Sequence, residues 1–168
     1  MSEAAETRND LACRIASLLD LHHVMSLAAV GPDGPHAANL FYARDALALI
    51  WVSDPASQHS IHIESRPEVA ATIAFDYHDF VEIEGLQVLG RARRIADGAG
   101  RRRARDRLHA HYPFLERIAG VPQQLRAAYD RAQFYRLEPA RIVLIDNRRG
   151  FGSKEILDLD GSPSRPAA

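Results

Sequence analysis

The sequence predicts a mainly β protein with flanking helices, an α+β chain whose antiparallel sheet closes into a small barrel. Three observations carry this. Apolar runs of β-compatible composition recur along the chain, and most neighbouring runs are joined by short turns, as antiparallel strands allow. Helical patterning is confined to the N-terminus, a short segment after Asp54 and the stretch 97–131, so strands and helices do not alternate as in a doubly wound α/β fold. With 168 residues, 46% hydrophobic and 26% charged, the chain suits one domain, residues 1–160, with a substantial core.

The elements follow in order. In TRNDLACRIASLLDLHH, residues Leu11, Ile15, Leu18 and Leu19 fall on one helical face, with Thr7 or Asn9 available as a cap. HVMSLAAV and HAANLFYA then form a hairpin across GPDGP, whose glycines and prolines read as a turn. Arg44 and Asp45 read as turn residues before a third strand, ALALIWVS. Asp54 and Pro55 mark a helix start, the carboxylate capping and the proline taking the first helical position. Arg66 and Pro67 stop that helix, because the residue before a proline is driven out of the α region. EVAATIAF gives a fourth strand. FVEIEGLQVLGRARRI, apolar at Val81, Ile83 and Val88 around Gly85, is a long strand bent by a bulge. From Asp97 to Arg131 the pattern is helical, broken near Tyr112 and Pro113 and again at GVP, which gives two helices. QFYRLEPARIVLIDN and KEILDLD return to strand, and the Pro-rich end 161–168 is expected to be a disordered tail.

Composition excludes several classes. A net charge of -1 leaves no global field for nucleic acid, and the eight arginines from Arg91 to Arg107 read as a solvated helix face without interleaved aromatics to stack bases. MSEAAETRND lacks the layout of a secretory signal and no apolar run reaches bilayer length, so the expected location is cytoplasmic, with no membrane partner. Cys13 cannot form an internal disulfide and reads as a small buried residue. His59 and His62, three apart on a helix, and His109 and His111 complete no ligand set, so no metal is expected and these histidines are placed at the surface or facing a partner. No GxGxxG opens a helix after a strand, which removes a Rossmann-bound dinucleotide and leaves NAD(P)H only as a transient donor.

One stretch carries chemistry. VSDPASQHSIHIESRP, residues 52–67, places a strand end, a helix start and the side chains of Ser53, Ser57, Gln58 and His59 together. Unpaired N–H groups and the positive dipole end make such a turn an anion site, although an ordinary capped surface helix has equal claim on spacing alone.

VSDPASQHSIHIESRPEVAATIAF, with HAANLFYA upstream and EGLQVLGRARRI downstream, resembles the strand, phosphate turn, helix and strand of the pyridoxamine 5'-phosphate oxidase-like flavoproteins. The ending IDNRRGFGSK resembles a subgroup of split-barrel proteins ending in Asn, Gly-Phe-Gly and Lys. The resemblance implies an antiparallel split β-barrel of FMN-binding type, a homodimer with FMN at the subunit interface. By position, Val52 and Ser53 at the strand end, with Ser57, Gln58 and His59, would hold the FMN phosphate and ribityl chain. Asn39, Leu40, Phe41 and Tyr42 would lie along the isoalloxazine edge, Gln87 would touch the ring or its tail, and Asn147, Phe151, Gly152 and Lys154 would close the site from either chain. Relatives often carry an Arg-Lys pair where this chain has Gln58 and His59, so the charge on the phosphate falls to a group that titrates, and a phosphate dianion should raise the His59 pKa. Lys154, the one lysine, would set a cation near the flavin. The implied function is an oxidoreductase acting on a small organic substrate, with no side chain standing out as catalytic acid or base. The alternatives are a deazaflavin-dependent reductase and a non-catalytic flavin or haem binding protein. Tyr42, Trp51 and Phe151 are either walls of the substrate space or barrel core.

Overall fold

Leu11, Ile15, Leu18 and Leu19 are all buried, and the helix that carries them, α1, runs Glu3–Leu21 in the computed structural model, which describes residues 3–120 and 122–159. The expected tail 161–168 lies outside the described residues. The helix begins before both expected caps, so Thr7 and Asn9 are interior to it. Cys13 falls on its outer face and is exposed, not buried.

The first hairpin pairs β1 (Val24–Gly31) with β2 (Gly34–Phe41) in unbroken register from Val24 opposite Phe41 to Gly31 opposite Gly34. Gly34 takes φ 104°, which a side chain would oppose. Arg44 and Asp45 are not turn residues. With Ala43 they form a short strand, β3 (Ala43–Asp45), paired to β4 (Ala48–Ser53), and the turn is made one step later by Ala46 at φ 54°. Their charges are neutralised across elements, Arg44 by Asp20 at 2.6 Å and Asp45 by Arg136 at 2.8 Å, and that pairing lets charged residues occupy a strand.

Asp54 does not cap the next helix. Its Oδ1 accepts from the Ala56 N–H at 2.8 Å in a turn, and α2 (Gln58–Ser65) starts later with Ser57 as N-cap residue. β5 (Glu68–Ala74) follows Pro67. The long strand starts later than its apolar pattern suggests: Phe80–Glu82 form a 3-10 turn capped by Asp79, and β6 spans Glu84–Arg94. The bulge lies at Leu89 and Gly90 rather than at Gly85, because a Cβ on Gly90 would sit 2.2 Å from the Glu138 carbonyl oxygen. α3 (Gly98–His111), a 3-10 segment (Pro113–Gly120) and α4 (Gln123–Arg131) break where Tyr112 and Pro113 predicted. β7 (Gln133–Asp146) and β8 (Lys154–Asp158) complete the chain.

All strands join one antiparallel sheet in the order β2-β1-β5-β6-β7-β4-β3, with β8 added to β7. Because β2 and β3 end the path without pairing, the curled sheet is a split barrel, not a closed one. Its inner face carries the main core, where Trp51 stacks on Tyr135 at 5.6 Å and Tyr42 is fully buried, its hydroxyl donating to the Leu19 carbonyl at 2.9 Å. A second cluster under α3 gathers Ile50, Leu108, Tyr112 and Phe134. Tyr42 and Trp51 are therefore core and line no substrate space.

Candidate anion and ligand site

β4 ends at Ser53, the Asp54–Ala56 turn reverses the chain, and α2 brings its first residues back over that strand end. Ser53 Oγ lies 2.6 Å from His59 Nε2 and 3.3 Å from Ser57 Oγ, and Ser57 Oγ lies 3.1 Å from the same Nε2. Ser57 also donates to the Asp54 carbonyl at 2.8 Å and sits 2.9 Å from Ser60 Oγ. Although it holds the N-cap position, Ser57 makes no capping bond to the helix, whose first main-chain bond is Ile61 N–H to Ser57 O. The N–H groups of residues 58–60 thus lack a side-chain cap, and two hydroxyls and an imidazole stand beside them.

His59 and His62 are buried, 7% and 2% exposed, where the surface was expected. The His36 ring, from β2, lies 6.2 Å from the His59 ring and 6.0 Å from that of His62. Burial first, then the proximity of His36 and His62, pushes the His59 pKa below the ordinary histidine value. The Gln58 amide does not face Ser53. Its nitrogen lies 2.7 Å from His62 Nε2, and among the described residues the buried His62 Nδ1 has no hydrogen-bond partner. The His62 ring fills the space above Gly31, where a Cβ would come within 2.2 Å of it.

Beyond Ser53 opens a groove of about 480 Å³, between the end of β4, the outer end of β2 and the α3–α4 segment. Asn39, Leu40, Phe41, Val52 and Ser53, all anticipated, line it. Tyr112, Phe114 and Tyr129 line it too, and sequence reasoning did not assign them. The available signal was the aromatic pair flanking Pro113 at a helix break. His36 and Ser60 were missed as well, because a histidine at one strand position and a serine within a helix carry no spacing signature.

Gln87 is exposed on β6 in a cross-strand row with Thr72, Ser26 and Asn39, three strand spacings from Asn39, about 14 Å at ~4.8 Å each. The C-terminal motif is elsewhere. Ser53 pairs with Gln133 at the start of β7 and Asn147 follows its end, so about 45 Å of strand at ~3.3 Å per residue separates them. Asn147 is spent on structure, donating to the Phe80 carbonyl at 2.6 Å and accepting from the Gly152 N–H at 3.0 Å. Phe151, 85% exposed, meets the Phe80 ring edge-on at 6.0 Å, and Lys154 is exposed at the start of β8. Within one chain these residues do not join the Ser53 site.

The profile of the pyridoxamine 5'-phosphate oxidase family matches residues 12–146. The chain belongs to the pyridoxamine 5'-phosphate oxidase family. A UPF0306 protein of Photorhabdus laumondii is 26% identical over 134 residues, 79% of this chain and 85% of its own length. A UPF0306 protein of Yersinia pestis is 26% identical over 142 residues, 83% of this chain and 88% of its own. Among solved structures, a haem binding protein from Mycobacterium smegmatis matches with a TM-score of 0.68 at 16% identity over 88% of this chain, which spans only 57% of that one. A FAD-binding protein from Mesorhizobium loti matches with a TM-score of 0.61 at 19% identity, over 77% of this chain and 90% of its own. At such identities the likeness concerns the fold, the split barrel of the pyridoxamine 5'-phosphate oxidase family. Among the described residues, no helix is long and apolar enough to cross a membrane.

Proposed function

We propose that this chain is an FMN-binding flavoprotein, a cytoplasmic homodimer that works as an oxidoreductase on a small organic substrate with NAD(P)H as transient electron donor. One observation carries the reading: the uncapped N-terminus of α2, faced by Ser53, Ser57 and His59 within 3.3 Å of one another. That donor set suits a phosphate, since hydroxyls and imidazolium donate, and the nearby Asp54 carboxylate is engaged by the Ala56 N–H at 2.8 Å. Val52 and Ser53 lead from it toward β2, an edge strand that offers its outer backbone at Asn39–Phe41 to a planar polar ring, whereas the Tyr42 N–H and carbonyl are spent on His23 and Tyr112. When bound, FMN supplies the redox chemistry through its isoalloxazine ring. The protein's part is to hold the phosphate, orient the ring and limit water. Gln58 acts indirectly in this reading, fixing His62 and with it the packing of α2 on Gly31.

The outer face of β2, β1, β5 and β6 supports the homodimer. It offers solvent a run of small and apolar side chains, Ala28, Ala37, Val24, Val30 and Leu89, flanking the Asn39–Ser26–Thr72–Gln87 row. A second copy packed there would cover that surface and could bring its own Asn147–Lys154 segment to the site, which the first chain's geometry denies it.

The absorption spectrum of the purified protein, before and after addition of FMN, tests the reading. Bound flavin that NADPH or NADH bleaches anaerobically is expected. A Soret band would favour haem, a deazaflavin spectrum the alternative cofactor, and a colourless protein that takes up no FMN would overturn the flavin assignment. Light scattering should return the mass of two chains.

A further inference from the structure

The groove beside the anion turn has a chemistry of its own. Phe41, Tyr112 and Phe114 meet pairwise with ring centroids 5.5, 5.9 and 5.6 Å apart, each pair edge-on or tilted. Phe41 and Phe114 are 55% and 46% exposed, so the cluster offers ring surface to solvent instead of closing on itself. Leu108 and Leu115 are buried behind it. The volume, about 480 Å³, is that of a small-molecule site. The rim decides the charge of the occupant. Among the described residues no lysine or arginine lines the groove, and Asp54 is its one charged lining side chain. An anionic group placed there would lose its hydration and face a carboxylate.

Of the lining hydroxyls, that of Ser53 lies 2.6 Å from His59 Nε2 and that of Tyr112 donates to the His23 and Tyr42 carbonyls, which leaves Tyr129 to orient a ligand. Tyr129 lines the groove half-buried, and burial raises its pKa, so it remains a donor. Its 3.4 Å contact with His109 Nε2 is long enough to be exchanged for a better acceptor.

We propose that this groove binds a planar, uncharged aromatic substrate, its ring against Phe41 and Phe114 and an oxygen substituent accepting from the Tyr129 hydroxyl. That the ligand is a substrate rests on the flavin reading above; that the groove takes such a ligand does not. Away from the Ser53 end, a phosphorylated or carboxylated substrate finds no cation on the described lining, whereas a neutral one needs none.

Titrating the full-length protein with 2-naphthol, 2-naphthoate and naphthalene, followed by tyrosine and tryptophan fluorescence, tests this with and without FMN. The two-ring frame is constant and only the substituent changes. 2-Naphthol should bind roughly tenfold or more tightly than 2-naphthoate, in FMN-free and FMN-loaded protein alike. Phe114→Ala should weaken 2-naphthol and naphthalene together by roughly tenfold, and Tyr129→Phe should weaken 2-naphthol by several-fold and leave naphthalene unchanged. Because Phe114 is half exposed, its variant should retain the parent's melting temperature, which is checked alongside. Equal or tighter binding of 2-naphthoate, or 2-naphthol binding indifferent to Phe114→Ala, would overturn the proposal. Displacement of 2-naphthol by saturating FMN would also overturn it, by giving the groove to the cofactor ring. Failure to take up FMN, with 2-naphthol still bound, would sink the flavin reading alone.

Discussion

If His59 holds the FMN phosphate, binding must take up a proton. In the unliganded chain three influences disfavour its imidazolium: burial, the His36 ring from β2 and the His62 ring from α2. A phosphate beside Nε2 acts in the opposite sense, and an opposite charge at 4–6 Å is worth roughly 1–3 pKa units. The free pKa thus lies below the ordinary value of 6.5 and the bound one above the free one. Affinity is greatest below the free pKa, falls up to tenfold per pH unit between the two, and levels off above the bound one. The two plateaus should differ by about 10- to 1,000-fold. The phosphate itself loses its second proton near pH ~6, which strengthens binding as pH rises there, so the full profile is a bell whose falling limb belongs to His59. Quenching of FMN fluorescence, titrated from about pH 5.5 to 9, gives the profile. His59→Gln, neutral but still able to hydrogen bond, should abolish the falling limb, while His36→Asn should shift it to higher pH by removing a competing positive charge. A falling limb that survives His59→Gln, or a wild-type profile with no falling limb anywhere in that range, would count against the role of His59.

Other outcomes follow from the same contacts. His22, His59 and His111 all have pKa values lowered first by burial, so the native state binds fewer protons than the unfolded chain just below pH 6.5. Stability from these groups is complete above that pH and is lost as pH falls toward their lowered values; thermal melts of the unliganded protein should drop between about pH 7.5 and 5.5, and a constant melting temperature would contradict the burial. Gly31→Ala drives a Cβ to 2.2 Å from the His62 ring, which Gln58 and its surroundings hold in place. It should cost about 1–3 kcal/mol in chemical denaturation, and His62→Ala in the same chain should recover part of that loss. Asn147→Ala removes both bonds that tie Gly152 and Phe80 together and should cost about 1–2 kcal/mol, read as a lower denaturation midpoint.

Much of the fold was legible because strands and helices announce themselves by period. Leu11 through Leu19 marked the face of α1, and Tyr112 and Pro113 marked the break between α3 and α4. The errors share a cause, which is local signals overridden by long-range partners. Arg44 and Asp45 look like turn residues until Asp20 and Arg136, distant in sequence, neutralise them. Gly85 looks like the bulge, yet the register shifts at Leu89 and Gly90, where a Cβ would come within 2.2 Å of the Glu138 carbonyl, closer than the 2.8 Å at which one on Gly85 would meet the Ile73 carbonyl. For the site, the serines and histidine of residues 53–59 were adjacent enough in sequence to suggest an anion turn. His36, Phe114 and Tyr129 are joined to it only by the folding of β2 and the α3–α4 segment, and no spacing rule reaches across such separations. The motif around Asn147 was legible as a unit, but its distance from Ser53 is a property of β7's length, visible only once the strands are paired.

Ser53, Ser57, His59 and the start of α2 are proposed to grip a phosphate. Comparing the affinities of FMN and riboflavin for the full-length protein, near neutral pH, tests this most directly, because the two ligands differ only in that group. Two charge-assisted hydrogen bonds at ~1.5–3 kcal/mol each predict FMN tighter by at least about a hundredfold, with Ser57→Ala narrowing the gap. Equal affinities, or a preference untouched by Ser57→Ala, would contradict the account.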